Sequence, residues 1–311
     1  MGLALVHSRA RAGIAAPPVQ VEVHLSGGLP STQIVGLPAA AVRESRDRVR
    51  AAIHNCKFSW PMTRLTLALS PATLPKMGSV YDIALASAVL SAQVKKPWPR
   101  LEKTVLLGEL ALDGRVRPVN GVLPAVLAAQ SRGWAAAVVP IDNLAEASLV
   151  EGIEVWGVRS LGQLQAWLVG KGDLEERVDS TDQAPETTAD LADVVGQTQA
   201  RYAVEVAAAG GHNLLMKGPP GVGKTMLAQR LPGLLPPLSM AESLEVTAIH
   251  SVAGVLTGDA PLITRPPFVA PHHTSSVAAL VGGGPGMARP GAVSRAHRGV
   301  LFLDEFAEIN A

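Results

Sequence analysis

The stretch Lys217 to Leu231 reads KGPPGVGKTMLAQRL, with Gly218 followed after four residues by Gly223, Lys224 and Thr225. This spacing predicts a phosphate site. Glycines at 218, 221 and 223 leave room for backbone N–H groups to converge on phosphate oxygens, Lys224 reaches the β- and γ-phosphates, and the Thr225 hydroxyl ligates Mg²⁺. Pro219, Pro220, Val222 and Met226 complete the stretch expected against the nucleotide. Eighty positions after Lys224 (304 − 224 = 80), VLFLDE ends four apolar residues with Asp304 and Glu305. Alone, such a run is an ordinary strand that ends in acids. Downstream of a phosphate loop it predicts Asp304 in the Mg²⁺ shell through water, with Glu305 orienting or deprotonating an attacking water. Lys224 and Glu305 are thus the catalytic candidates, and ATP with Mg²⁺ the expected cofactors.

These groups need elements to hold them. An apolar strand over Asn213 to Met216 is expected before the loop and a helix over Met226 to Leu231 after it, which places phosphate at a helix N-terminus. The first half is patterned differently. VQVEVHL (Val19 to Leu25) alternates apolar and polar, the period of a half-buried strand, and RLTLALS repeats the signal. Between them a helix carries Val42, Val49 and Ile53 on one face. Arg43, Glu44, Arg46, Asp47, Arg48 and Arg50 take the others, with Arg43/Asp47 and Glu44/Arg48 spaced to pair. A solvated, ion-paired face is the plainer reading of that stripe; a DNA or subunit contact is the other.

VYDIALASAVLSA then reads as a helix, Asp113-Gly114 as a hairpin turn, LPAVLAAQSRG as a helix stopped by Gly133, AAAVVP as a buried strand and SLGQLQAWLVG as a helix capped by Ser160. The fold class is α/β: residues 1–171 form a first α+β domain, residues 172–193 an acidic, Thr-rich linker, and residues 194–311 the start of a P-loop domain with a doubly wound parallel sheet.

Composition narrows the class. The 311 residues are 48% hydrophobic, 17% charged and 4% aromatic, so the cores rest on Ala, Val and Leu. One cysteine, Cys56, rules out an internal disulfide framework and a Cys-based zinc site and fits a reducing, cytoplasmic compartment. No run reaches the ~18 apolar residues of a membrane span, so no membrane partner is expected. With 27 basic and 26 acidic residues, net charge argues neither for nor against nucleic acid.

Three blocks, DVVGQTQARYAVEVAAAGGHNLLMKGPPGVGKTMLAQRLPGLLPPL, PFVAPHHTSSVAALVGGG and RPGAVSRAHRGVLFLDE, resemble the AAA+ ATPases of the magnesium-chelatase-like ComM (YifB) family. GLPSTQIVGLPAAAVRESRDRVRAAI and LPKMGSVYDIALASAVL resemble that family's first domain, related to the Lon protease domain and to the second domain of ribosomal protein S5. The resemblance implies a hexameric, ATP-driven motor on single-stranded or branched DNA, a branch-migration helicase acting in recombination and natural transformation. It also implies that Val195, Gly196 and Gln197 lie by the adenine. A magnesium-chelatase-type ATPase subunit and a non-enzymatic DNA-binding module are the alternatives.

Lon relatives use a serine and a lysine, but the corresponding positions here hold Val80 and Leu123, with Ser79 and Lys76 only nearby. A nucleophile needs its base within hydrogen-bond reach, so the first domain is expected to lack protease activity. VGGGPG lacks a following lysine and is no second phosphate loop. Adjacent His272 and His273 point apart, which argues against a shared metal, and their role stays open; His297 reads as a core or backbone-bonding residue. In the strand order that the resemblance implies, the phosphate-loop strand lies between strands absent from this sequence, as are the sensors, the arginine finger and the lid. The chain is therefore expected to be a fragment of a longer protein, binding nucleotide poorly and turning over little.

Overall fold

The structure is a computed structural model that describes residues 2–10, 12–35, 40–74, 76, 78–96, 98–176, 189–256, 261–284 and 288–305, with the side chains of 40–42 also outside the description. The chain divides into two compact units, Met1–Thr181 with Gly254–Pro261, and Asp182–Ala253 with Leu262–Ala311.

The first unit runs β1 (Gly2–Arg9), β2 (Pro18–Ser26), β3 (Ser31–Val35), α1 (Ala40–Asn55), β4 (Arg64–Ser70), α2 (Asp82–Ser91), β5 (Thr104–Leu106), β6 (Glu109–Leu110), β7 (Val116–Arg117), α3 (Val122–Gln130), β8 (Ala136–Pro140), α4 (Leu144–Ala147), β9 (Glu154–Val158) and α5 (Leu161–Leu168). Seven strands form one mixed sheet in the order β3-β4-β2-β1-β5-β8-β9. The alternation in β2 buries Val19, Val21 and Val23, and that in β4 buries Leu65, Leu67 and Leu69. Register lines them up: Val21 stands opposite both Val6 and Leu69. β5 and β8 are instead buried along their whole length and read as continuous apolar runs, as parallel strands covered on both faces do. All ten residues of α2 are buried too. Each such Val or Leu contributes roughly 1.5–3 kcal/mol relative to exposure. Gly114 closes the β6–β7 hairpin at φ 87°, and the Ser160 hydroxyl caps α5 by accepting the Gln163 N–H at 3.2 Å.

The ion pairs expected along α1 form differently. Arg46 pairs with its neighbour Asp47 at 2.9 Å, and Arg48 reaches Asp82 at the buried start of α2 (Nε–Oδ2 3.1 Å). A carboxylate shielded from water attracts the nearest guanidinium more strongly than a solvated partner one turn away does. Burial raises the Asp82 pKa to about 6, against the opposing hydrogen bonds from Ser45, Arg48 and the Leu110 N–H. The linker boundary also shifts. Leu174 is buried, and Glu175 bridges to Gly157 and pairs with Arg159 at 2.6 Å, so residues 172–176 pack on the first unit. Most of the remaining linker lies outside the described residues.

The second unit contains α6 (Thr198–Gly210), α7 (Lys224–Ala228), α8 (Leu231–Leu234), α9 (Met240–Ala253), β10 (Phe268–Val269), α10 (Val277–Val281), β11 (Gly282–Gly283), β12 (Arg289–Pro290), α11 (Ala292–Arg295) and β13 (Val300–Leu301). Leu191, Val204 and Leu227 pack together with Val194, and Met216 and Met226 lean on them. The helix expected through Leu231 breaks after Ala228 and restarts as α8, because Pro232 has no N–H to donate back to the Ala228 carbonyl. Asn213 to Met216 is not a strand: it has no ladder partner among the described residues, and Leu215 is 87% exposed. Among the described residues the parallel pairing of this unit is β10 with β13.

Candidate nucleotide site

The phosphate loop turns at Gly221 (φ 81°) and Gly223 (φ 83°), left-handed conformations open to glycine at little cost. Among the described residues, the N–H groups of Gly221, Val222 and Gly223 donate to nothing, so three neighbouring amides are free to meet an anion. Lys224 starts α7 and folds back on its own loop, donating from Nζ to the carbonyls of Gly218 (2.8 Å) and Pro219 (3.1 Å). Gln197, itself left-handed at φ 52°, donates from Nε2 to the Val222 carbonyl at 3.0 Å. That bond ties the segment before α6 to the loop. Beside it opens a cleft of about 570 Å³ whose lining includes Gln197, Ala200, Val204, Leu215, Met216, Val222 and Lys224. Of the three residues expected near a base, Gln197 lines this cleft, while Val195 is 94% exposed.

Asp304 follows β13 and meets the loop from across the unit, its Oδ2 accepting the Thr225 hydroxyl at 3.3 Å. Two oxygen donors side by side suit a hard divalent cation. Among the described residues no group of three His, Cys, Asp or Glu could hold a metal. Glu305 is left-handed (φ 49°), its N–H donates to Asp304 Oδ1 at 3.0 Å, and its Oε2 lies 2.9 Å from Nδ1 of His273. The spacing of the phosphate loop gave no sign of that histidine. The two histidine rings lie 4.1 Å apart, against the expectation that they diverge, because the chain turns between them and His272 bonds to Thr274 (Nδ1–Oγ1 2.8 Å).

His297 is not a core residue: it is part-exposed, with Nε2 3.2 Å from Glu245 Oε1. Arg298 joins the same surface cluster with Glu242 and Glu245, each at 2.8 Å. The Arg298 guanidinium, and then His297, hold the Glu245 carboxyl below its ordinary pKa.

In the first unit Val80 and Leu123 are buried. The Ser79 hydroxyl donates to Glu109 and the Lys76 ammonium, buried and with its pKa lowered by that burial, donates to the Pro71 carbonyl. Serine and lysine therefore serve separate partners.

A glycine-rich loop with free amides, a loop lysine and a threonine beside a strand-terminal aspartate define a P-loop protein. Residues 190–311 match the family model described as magnesium chelatase, subunit ChlI, and residues 21–143 the one described as subunit ChlI of Mg-chelatase. The chain is 74% identical over its whole length to the uncharacterized protein Rv2897c of Mycobacterium tuberculosis, covering 62% of it. It is 42% identical over 99% of its length to competence protein ComM of Haemophilus influenzae, covering 61% of that protein. Over 96 residues, 30% of the chain and 17% of the relative, it is 32% identical to Lon protease 2 of Bacillus subtilis. The chain belongs to the magnesium-chelatase-like AAA+ family that includes YifB and ComM. It spans about three fifths of the length of the curated relatives it matches. Among the described residues no helix is long and apolar enough to cross a membrane.

Proposed function

We propose that this chain carries the ATP-binding and hydrolysing centre of a ComM-type motor, a homo-hexameric ring that drives DNA strands through branch migration. The carrying observation is the meeting of Thr225 Oγ1 with Asp304 Oδ2 at 3.3 Å beside three free loop amides. In this reading the Gly221 to Gly223 amides donate to phosphate oxygens, and Lys224 leaves its two carbonyls for the β- and γ-phosphates. Gln197 and the apolar cleft receive the base. Thr225 and, through water, Asp304 would hold Mg²⁺, which supplies neutralisation of the charge that develops on the phosphoryl oxygens. Glu305 orients the attacking water and accepts its proton. DNA as substrate is supported by family membership and by the 42% identity to competence protein ComM.

ATPase assays with and without forked or single-stranded DNA, on this chain and on a polypeptide extended to the length of its relatives, test the reading. DNA-stimulated turnover that Lys224→Ala removes from the longer polypeptide supports it. Turnover unchanged by Lys224→Ala refutes it. The match of both halves to chelatase-subunit models favours one second reading, an ATPase that serves metal insertion into a porphyrin, and nucleotide-dependent metallation in a reconstituted system would select it.

A further inference from the structure

We propose that His273 is the positioning residue for Glu305, a proposal that rests on the hydrolytic reading of Glu305 given above. A parallel ladder brings the two together. Val269 stands opposite Leu301, the Val300 N–H donates to the Pro267 carbonyl at 2.8 Å, and the Phe302 N–H donates to the Val269 carbonyl at 2.9 Å. Parallel strands leave their ladder in the same direction. His273 lies four positions beyond Val269 and Glu305 four beyond Leu301 (273 − 269 = 305 − 301 = 4), so equal lengths of chain carry both side chains to one place. Phe268 and Phe302 stack at 6.0 Å across the same pair.

Nδ1 of His273 then sits 2.9 Å from Oε2 of Glu305. The ring is held from behind. His272 packs against it at 4.1 Å, and the Nδ1 of His272 accepts the Thr274 N–H at 3.3 Å while the Ser275 N–H closes the turn onto the His272 carbonyl at 2.9 Å. Ordering a free glutamate costs side-chain entropy. With Oε2 held by His273, that cost is met before substrate arrives and Oε1 remains for water. The effect belongs to turnover, since among the described residues the imidazole makes its ion-pair and ring contacts with Glu305 and His272 and with none of the groups assigned to nucleotide binding.

In the extended polypeptide, His273→Ala lowers kcat for ATP about 10- to 100-fold, with KM and nucleotide Kd unchanged within about twofold, the loss expected when a reacting group goes out of place. His273→Asn, whose amide donates from nearly the same place, recovers part of the rate. Combined with Glu305→Gln, His273→Ala costs nothing further. A kcat that stays level or rises in His273→Ala, or a loss confined to KM, overturns the proposal. If Glu305→Gln still abolishes turnover in that case, the hydrolytic reading survives; if Glu305→Gln leaves turnover intact, both fall. A readout independent of activity is nitrogen-15 NMR of histidine-labelled 311-residue chain without nucleotide. Glu305→Gln shifts the His273 ring signals, assigned by their loss in His273→Asn, and unshifted signals overturn the contact itself.

Discussion

The hydroxyl of Thr225 lies 3.3 Å from the carboxylate of Asp304, two residues 79 positions apart in the chain. Their approach joins the phosphate loop to the end of β13 and creates the only pairing of hard oxygen donors that the loop itself takes part in among the described residues. Thr225→Val keeps the shape and removes the oxygen. It weakens nucleotide binding about tenfold when Mg²⁺ is present, the effect of one lost contact of roughly 1.4 kcal/mol, and changes binding in EDTA little. Titration of a fluorescent ATP analogue under both conditions checks this; equal losses with and without the ion would count against a metal-directed hydroxyl.

Gly223 and Gly221 separate two costs in the loop. Both are left-handed, at φ 83° and 81°, and a side chain there costs roughly 1–2 kcal/mol. A Cβ at Gly221 enters open space, whereas one at Gly223 falls 3.1 Å from Nε2 of Gln197 and 3.0 Å from Cε of Met226. Met226 can swing aside, but Gln197 is bonded to Val222. Gly223→Ala therefore lowers nucleotide affinity several-fold more than Gly221→Ala, read by calorimetry on the two variants.

Gln197→Ala removes the bond to the Val222 carbonyl and leaves the loop lysine and threonine in place. An exposed bond of this kind is worth about 1 kcal/mol, so the expected loss is roughly fivefold in nucleotide Kd. Since Gln197 also lines the cleft assigned to the base, the loss is larger for ATP than for inorganic triphosphate. Equal losses for the two ligands would remove the residue from base recognition.

Asp82 gives the first unit a pH dependence of definite sign. Its carboxyl ionises near 3.8 when unfolded and near 6 when folded, chiefly through burial. Between those values the folded form keeps a proton that the unfolded chain has released. This contribution to stability is therefore full below about pH 3.8 and lost as pH rises through about 6. Asp82→Asn flattens that slope. All five tryptophans, at 60, 98, 134, 156 and 167, lie in the first unit, so urea unfolding followed by tryptophan fluorescence from pH 4 to 7 reads that unit alone. Parallel curves for the two proteins would exclude Asp82 as the source.

Much of the first unit was legible from pattern. The alternation in β2 and β4, the unbroken apolar run of β8, the Asp113-Gly114 turn and the Ser160 cap are statements about residues a few positions apart. The same holds for the phosphate loop, whose glycines, lysine and threonine occupy one short stretch. Where patterning misled, a proline or a missing neighbour intervened: Pro232 split the helix after the loop, and Asn213 to Met216 found no strand to pair with among the described residues.

By itself, then, the sequence determined which residues would form a phosphate loop and which segments would bury one face, because both depend on contacts along the chain. Tertiary structure alone decided that Thr225 meets Asp304, that His273 lies beside Glu305, and that Arg48 turns from its helix to Asp82. Those pairings rest on the register of β10 against β13 and on the burial of the start of α2. Two-residue strands carry almost no period of their own, and the pull of a buried carboxylate exists only once the fold has removed its water.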